Sequence, residues 1–262
     1  MRKRTIAAAI AAVLTMVLLL AACSAPRQDQ PTPEATATPE PTASPVPDAD
    51  GSEGAADQNE SSDEGPDGND REQAEADLAA LTGLFPDKEG FKWVYNGYAE
   101  YGHEMRLEEI NRANDKIVYR MPGEVFDMSD GESDRDYSLE VTYTITPGLV
   151  IQEKKGEMVM DEFDSVELIR GPIEKGNTWE QTVKGKDGSE ITLESTITDI
   201  VNEDGANLIT VVYKDKNSEF YEKRIIKEGI GVVGYEKIFI TEAGNYEIAY
   251  SLYEDASGYN KD

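Results

Sequence analysis

Three places in the sequence gather side chains capable of chemistry. The first is Cys23, the only cysteine among 262 residues, at the end of the only strongly apolar run, "LLLAAC". Without a second cysteine no intramolecular disulfide can form, so any fold must be held by its core. The second is "DMSDGESDRD", which packs Asp127, Asp130, Glu132, Asp134 and Asp136 into one segment. Oxygen-rich loops can hold calcium. The EF-hand order is not met, because Gly131 is misplaced and the terminal Glu is absent. Two readings stand: a weak calcium site of extracellular type, or a solvated hairpin loop. The third is His103 in "EYGHEM", where Glu100, His103 and Glu104 could form an acid–base cluster or a weak metal site. A lone His without Cys cannot build a typical zinc centre, and an exposed or packing His is the simpler reading.

Other chemistries find less support. One His in the whole chain removes most triads and metal sites. No Gly-x-Ser-x-Gly nucleophile motif occurs. Paired carboxylates hydrolyse glycosides, but with 53 Asp and Glu residues any chosen pair is uninformative. The formal net charge of -28 argues against nucleic acid, whose phosphates need Lys and Arg neighbours. It equally argues against electrostatic docking to anionic lipid. Trp93, Trp179 and the 13 Tyr either line a ligand groove or form core and cross-strand pairs.

The setting of Cys23 is more specific. Arg2, Lys3 and Arg4 precede an apolar stretch over 6–20, and Ala21 and Ala22 lead into the cysteine. This is the layout of an export signal. Leu20-Ala21-Ala22-Cys23 resembles the lipobox of bacterial lipoproteins. The resemblance implies cleavage after residue 22. It also implies a diacylglycerol on the Cys23 sulfur, with or without a further N-acyl chain, and a home on the extracytoplasmic face of a membrane. Two acyl chains anchor stably where one binds only reversibly.

After Cys23 the chain has no apolar periodicity as far as about residue 82. "PTPEATATPEPTASPVP" is rich in Pro and Thr, and "DADGSEGAADQNESSDEGPDGND" is acidic and rich in Gly and Ser. Low hydrophobicity with high charge cannot offset the entropy of ordering, so a disordered tether is expected over 23–82. As a flexible coil it would span roughly 45 Å. Within 71–85, Ala74, Leu78, Leu81 and Leu84 have helical spacing. A packed cap helix and a transient one fit equally.

From residue 83 onward, alternation dominates. In "YSLEVTYTIT", Tyr137, Leu139, Val141, Tyr143 and Ile145 share one face. Phe91, Trp93 and Tyr95 do the same, as do Tyr246, Ile248, Tyr250 and Leu252. Period-two patterns describe strands with one buried face. Turn signals at Pro147-Gly148, Lys186-Asp187-Gly188, Glu203-Asp204-Gly205 and Ala243-Gly244-Asn245 separate them. The expectation is an all-β domain over 83–262, with roughly eleven to thirteen strands. They form one antiparallel meander sheet with at most one short N-terminal helix. So long a sheet must curl into a barrel, half-barrel or sandwich. Two halves, about 85–170 and 171–262, are candidates for similar topology.

The order of "GPIEKGNTWE", "SEITLESTITDI", "NLITVVYKD" and "IIKEGIGVVGYE" resembles a loose class of envelope lipoproteins related to the half-barrels of periplasmic lipoprotein carriers. These motifs are structural and carry over no catalytic residues.

The combined expectation is a non-enzymatic, lipid-anchored envelope protein. Its β domain binds a partner protein or an apolar ligand, with no cofactor beyond the lipid and an optional calcium ion. A cell-wall glycan hydrolase and a purely structural assembly subunit remain as alternatives.

Overall fold

The computed structural model describes residues 68–97, 101–129, 131–158, 160–185 and 188–261. The signal segment 1–22, Cys23, most of the tether, and Glu100 and Asp130 lie outside the described residues.

Helix α1 (Gly68–Thr82) opens the described chain, with Asp70 in its first turn, where a carboxylate complements the helix dipole. Of the two readings for 71–85, packing is what the structure shows. Leu81, Leu84 and Phe85 are buried, and Leu78 packs beside them. The helix stops at Gly83, whose carbonyl accepts the Gly229 N–H at 2.9 Å.

Thirteen strands follow among the described residues. The first half holds β1 (Lys92–Gly97), β2 (Gly102–Arg106), β3 (Glu109–Arg112), β4 (Ile117–Val125), β5 (Ser138–Thr146), β6 (Leu149–Lys155) and β7 (Ser165–Arg170). The second holds β8 (Thr178–Lys184), β9 (Glu190–Glu203), β10 (Ala206–Asp215), β11 (Tyr221–Lys227), β12 (Gly231–Thr241) and β13 (Gly244–Leu252). All pairings are antiparallel, in the order β7-β6-β5-β4-β2-β1-β13-β12-β11-β10-β9-β8, with β3 pairing β4 off the path. The sheet is therefore a meander nearly closed into a barrel. The first and last strands of the chain are paired, Tyr95 opposite Leu252 and Gly97 opposite Tyr250. The gap lies between β7 and β8, where the two halves meet, so each half is a meander running between the same two junctions.

Local sequence sets this geometry. Asp204 and Gly205 both take positive φ, 52° and 88°, the conformation of a two-residue hairpin turn whose twist matches its strands. Gly97 lets β1 approach β13: a Cβ there would lie 2.1 Å from that of Tyr250. Along β5 the inward residues Leu139, Val141, Tyr143 and Ile145 are all buried, as alternation predicts. Phe91, Trp93 and Tyr95 are buried too. On β13 only Tyr250 is buried, and Tyr246 is exposed, because this end of the strand runs beyond the barrel.

A meander places alternate connections at opposite ends. One end carries α1 and the turns at Pro147-Gly148 and Asp204-Gly205, and Phe85 seals it against Tyr119 and Tyr143 at ring distances of 5.7 and 4.8 Å. The other end, the mouth, carries the longer β4–β5 and β6–β7 loops.

Candidate functional site

The mouth holds a cleft of about 1070 Å³, lined among others by Tyr101, Phe126, Met128, Tyr137, Met158 and Phe239. Tyr101, Met128 and Phe239 are exposed. Lys237, on an inward position of β12, pairs with Glu162 at its floor.

Beneath it, the β6–β7 loop folds into the barrel. Met158, Met160, Asp161 and Phe163 are all buried. Asp161 anchors the loop. Its Oδ1 accepts the Phe163 N–H at 3.0 Å, closing the local turn. Its Oδ2 accepts from the Gln152 side chain and lies 3.4 Å from Arg224 Nη2. Arg224 Nη2 also donates to Glu222 Oε2 at 2.8 Å, and Glu222 Oε1 accepts the Glu162 N–H at 2.8 Å. Lys154 Nζ donates to the Phe163 carbonyl at 2.5 Å and lies 3.8 Å from Asp161. The guanidinium of Arg224 sits 4.6 Å from the Tyr235 ring centre and 5.8 Å from that of Tyr213. Buried charges persist only when paired and hydrogen-bonded, and this cluster meets that condition around one arginine. Burial pushes the Glu222 carboxyl up to about 6 against the pull of Arg224. Asp161 and Glu222 are 0% and 1% exposed, so the pair supports the loop rather than facing the cleft.

His103 lies in the same interior. It is buried, stacks on Tyr95 at 4.5 Å, and its Nδ1 is 3.1 Å from Tyr250 Oη. Burial pulls its pKa down to about 3; the Asp161 charge opposes this shift and the Arg224 charge adds to it. Of the two readings for this residue the structure shows packing. Glu104 points the other way and pairs with Lys92 at 3.0 Å, because adjacent residues of β2 face opposite sides. Five buried polar atoms, His103 Nε2, Tyr143 Oη, Gln152 Oε1, Trp179 Nε1 and Arg224 Nε, have no hydrogen-bond partner among the described residues.

The acidic segment forms one wall of the cleft through Ser129, Ser133 and Asp136. Asp127 accepts from Ser129 N–H and Oγ–H at 2.8 and 2.6 Å and from Gly131 N–H at 3.0 Å. The Ser129 hydrogen bonds hold its carboxyl down at about 2. Asp136 accepts the Ser138 N–H at 2.9 Å. Glu132 and Asp134 are at least partly exposed. Among the described residues no three His, Cys, Asp or Glu side chains are grouped to hold a metal. Trp93 is core, its Nε1 donating to the Ile230 carbonyl at 2.8 Å, and Trp179 is buried as well.

Sequence reasoning missed the Asp161–Glu222–Arg224 cluster, although part of it carried a signal. In "YEKRIIK" the parity of Ile226 puts Glu222 and Arg224 on the inward face. In "LVIQEKK" the parity of Val150 does the same for Gln152 and Lys154. Charged residues in phase with a core stripe announce a polar interior.

No family model matches the chain, and no curated protein sequence matches it. Two solved structures are similar in fold. One is a candidate lipoprotein from Parabacteroides distasonis ATCC 8503, at 12% identity and a TM-score of 0.38 over 64% of this chain and 96% of that one. The other is a candidate exported protein with a YmcC-like fold from Bacteroides fragilis NCTC 9343, at 14% identity and a TM-score of 0.41 over 64% and 96%.

Proposed function

We propose that this chain is a lipid-anchored extracytoplasmic protein whose barrel mouth binds an apolar ligand or the apolar part of a partner protein. The observation that carries the binding reading is the cleft rimmed by exposed Tyr101, Met128 and Phe239. Large apolar side chains grouped at a concave opening mark interaction sites more often than scattered ones do. The seated β6–β7 loop gives the cleft a firm floor, so little ordering cost accompanies binding. The anchoring half of the reading rests on the sequence around Cys23, with the segment between Cys23 and α1 as the spacer that holds the barrel away from the bilayer.

A ligand that binds only the folded state raises its melting temperature by mass action. In neutral phosphatidylcholine nanodiscs, a saturated fatty alcohol below its micellar concentration should raise the midpoint of the wild-type barrel. The double variant Tyr101→Ser with Met128→Ser should lose that rise and keep the ligand-free midpoint. An equal rise in both proteins would place binding elsewhere.

A further inference from the structure

The β12–β13 ribbon outruns β11 at the mouth. The β11 pairing with β12 ends at Glu222 opposite Lys237. β12 and β13 stay paired to each other as far as Thr241 and Gly244. Residues 238–241 therefore have no strand neighbour on the β11 side among the described residues. An unpaired edge of this kind is a template for a further strand.

That edge borders a second groove, of about 430 Å³, whose apolar lining is Phe163, Ile191, Phe220, Ile238, Phe239 and Ile240. Phe163 and Phe220 meet edge-on within it, 5.8 Å apart at 84°. Phe239 and Ile240 are 49% and 51% exposed. The ribbon thus offers backbone hydrogen bonds beside side-chain pockets, the two components of recognition by strand addition.

Charge selects the occupant. Asp215 lines the groove, and Glu219 and Glu242 are exposed in the adjoining β10–β11 loop and ribbon tip. Glu219 also accepts from the Asn245 side chain at 2.7 Å, which ties the ribbon to that loop. Two nearby cations are engaged: Lys237 with Glu162, and Lys216 with Glu180 at 2.5 Å. A second copy of a chain carrying -28 would be repelled, whereas a cationic partner is attracted.

We propose that the free edge at 238–241 accepts an extended, cationic polypeptide segment, with apolar residues at alternate positions, as an added strand beside β12. Its apolar side chains fill the Phe163–Phe220 groove, and its basic ones face Asp215, Glu219 and Glu242. This names a partner class for the binding role proposed above, but it uses the ribbon edge, which shares Phe239 with the Tyr101–Met128 cleft.

The test is hydrogen exchange of the full chain in phosphatidylcholine nanodiscs, with an alternating Lys-Val octapeptide as probe. Exchange over 238–241 should slow at least tenfold, and the effect should shrink at high salt. It should be lost when alternate peptide nitrogens are methylated, and weakened in Phe220→Ser. Unchanged exchange at 238–241 overturns the proposal. So does equal protection by a Glu-Val octapeptide, or peptide-free protection that grows with protein concentration, which would mean a second copy occupies the edge. Phe239 lines both sites, so the cleft is tested by Tyr101→Ser with Met128→Ser and the edge by Phe220→Ser: loss of the fatty-alcohol rise with peptide protection intact, or the reverse, distinguishes failure of one reading from failure of the other.

Discussion

Gln181 closes the barrel against Glu167. Its Oε1 accepts the Glu167 N–H at 2.8 Å and its Nε2 donates to the Glu167 carbonyl at 3.0 Å. One side-chain amide on β8 thus stands in for the ladder that β7 and β8 lack. Its Nε2 also donates to Ser195 Oγ at 2.9 Å. Tyr213 supports the same seam by donating to the Leu168 carbonyl at 2.5 Å.

Gln181→Met keeps the volume and removes both hydrogen bonds to β7. A buried donor or acceptor left unpaired costs about 1–3 kcal/mol, so the variant should lose about 3 kcal/mol by urea titration. The Glu167 amide should exchange faster in native-state hydrogen exchange. A variant as stable as wild type would show that the seam is held by other contacts.

Arg224 neutralises two buried carboxylates, so its removal should be severe. Breaking a buried pair by deleting one partner costs about 3–5 kcal/mol, and Arg224→Met should fall in that range. Adding Glu222→Gln to it should cost less than the sum of the two single changes, because the uncompensated charge disappears. Additive losses in the double-mutant cycle would argue against a coupled cluster.

His103 makes the fold acid-sensitive, with a definite sign. Its folded pKa of about 3 lies below the ordinary 6.5, so the unfolded chain takes up the proton first as pH falls. Stability from this group is complete above 6.5 and is lost progressively toward 3. Glu222 acts oppositely between about 6 and 4.5, since its folded carboxyl is raised and binds its proton first. His103→Gln should therefore lose about 2 kcal/mol less than wild type between pH 7 and pH 4.5. Parallel pH profiles for the two proteins would contradict this.

Cys23→Ala tests the anchor. A fatty-acid analogue should label the wild-type protein and leave the variant unlabelled, with the variant leaving the membrane fraction or persisting as uncleaved precursor. Equal labelling of both would remove the lipoprotein reading.

The β domain was legible in the sequence because its signal is local. Leu139, Val141, Tyr143 and Ile145 declare their face by alternation, and Asp204-Gly205 declares its turn. Closure was not legible, since it depends on which distant strands meet. Nothing in Gln181 alone says that its amide replaces a ladder across from Glu167, and Gly97 gives no sign of facing Tyr250. The site was half legible. The parity of Glu222 and Arg224 with Ile226 carried an inward signal that went unread, and Asp161 comes from an irregular loop that has no period to read. His103 was readable as a packing residue, whereas its tyrosine surroundings come from β1, β12 and β13 and needed the folded chain.

The central claim is that the mouth cleft is the binding site, and methyl spectroscopy addresses it most directly. With the methionine methyls carbon-labelled in the full chain in nanodiscs, Met128 and Met158 report on the cleft, while Met105 and Met121 report on the buried core. Titration with the fatty alcohol should shift the Met128 and Met158 signals in a saturable way and leave Met105 and Met121 in place. Saturable shifts confined to the core methionines, or none at Met128 and Met158, would contradict the account.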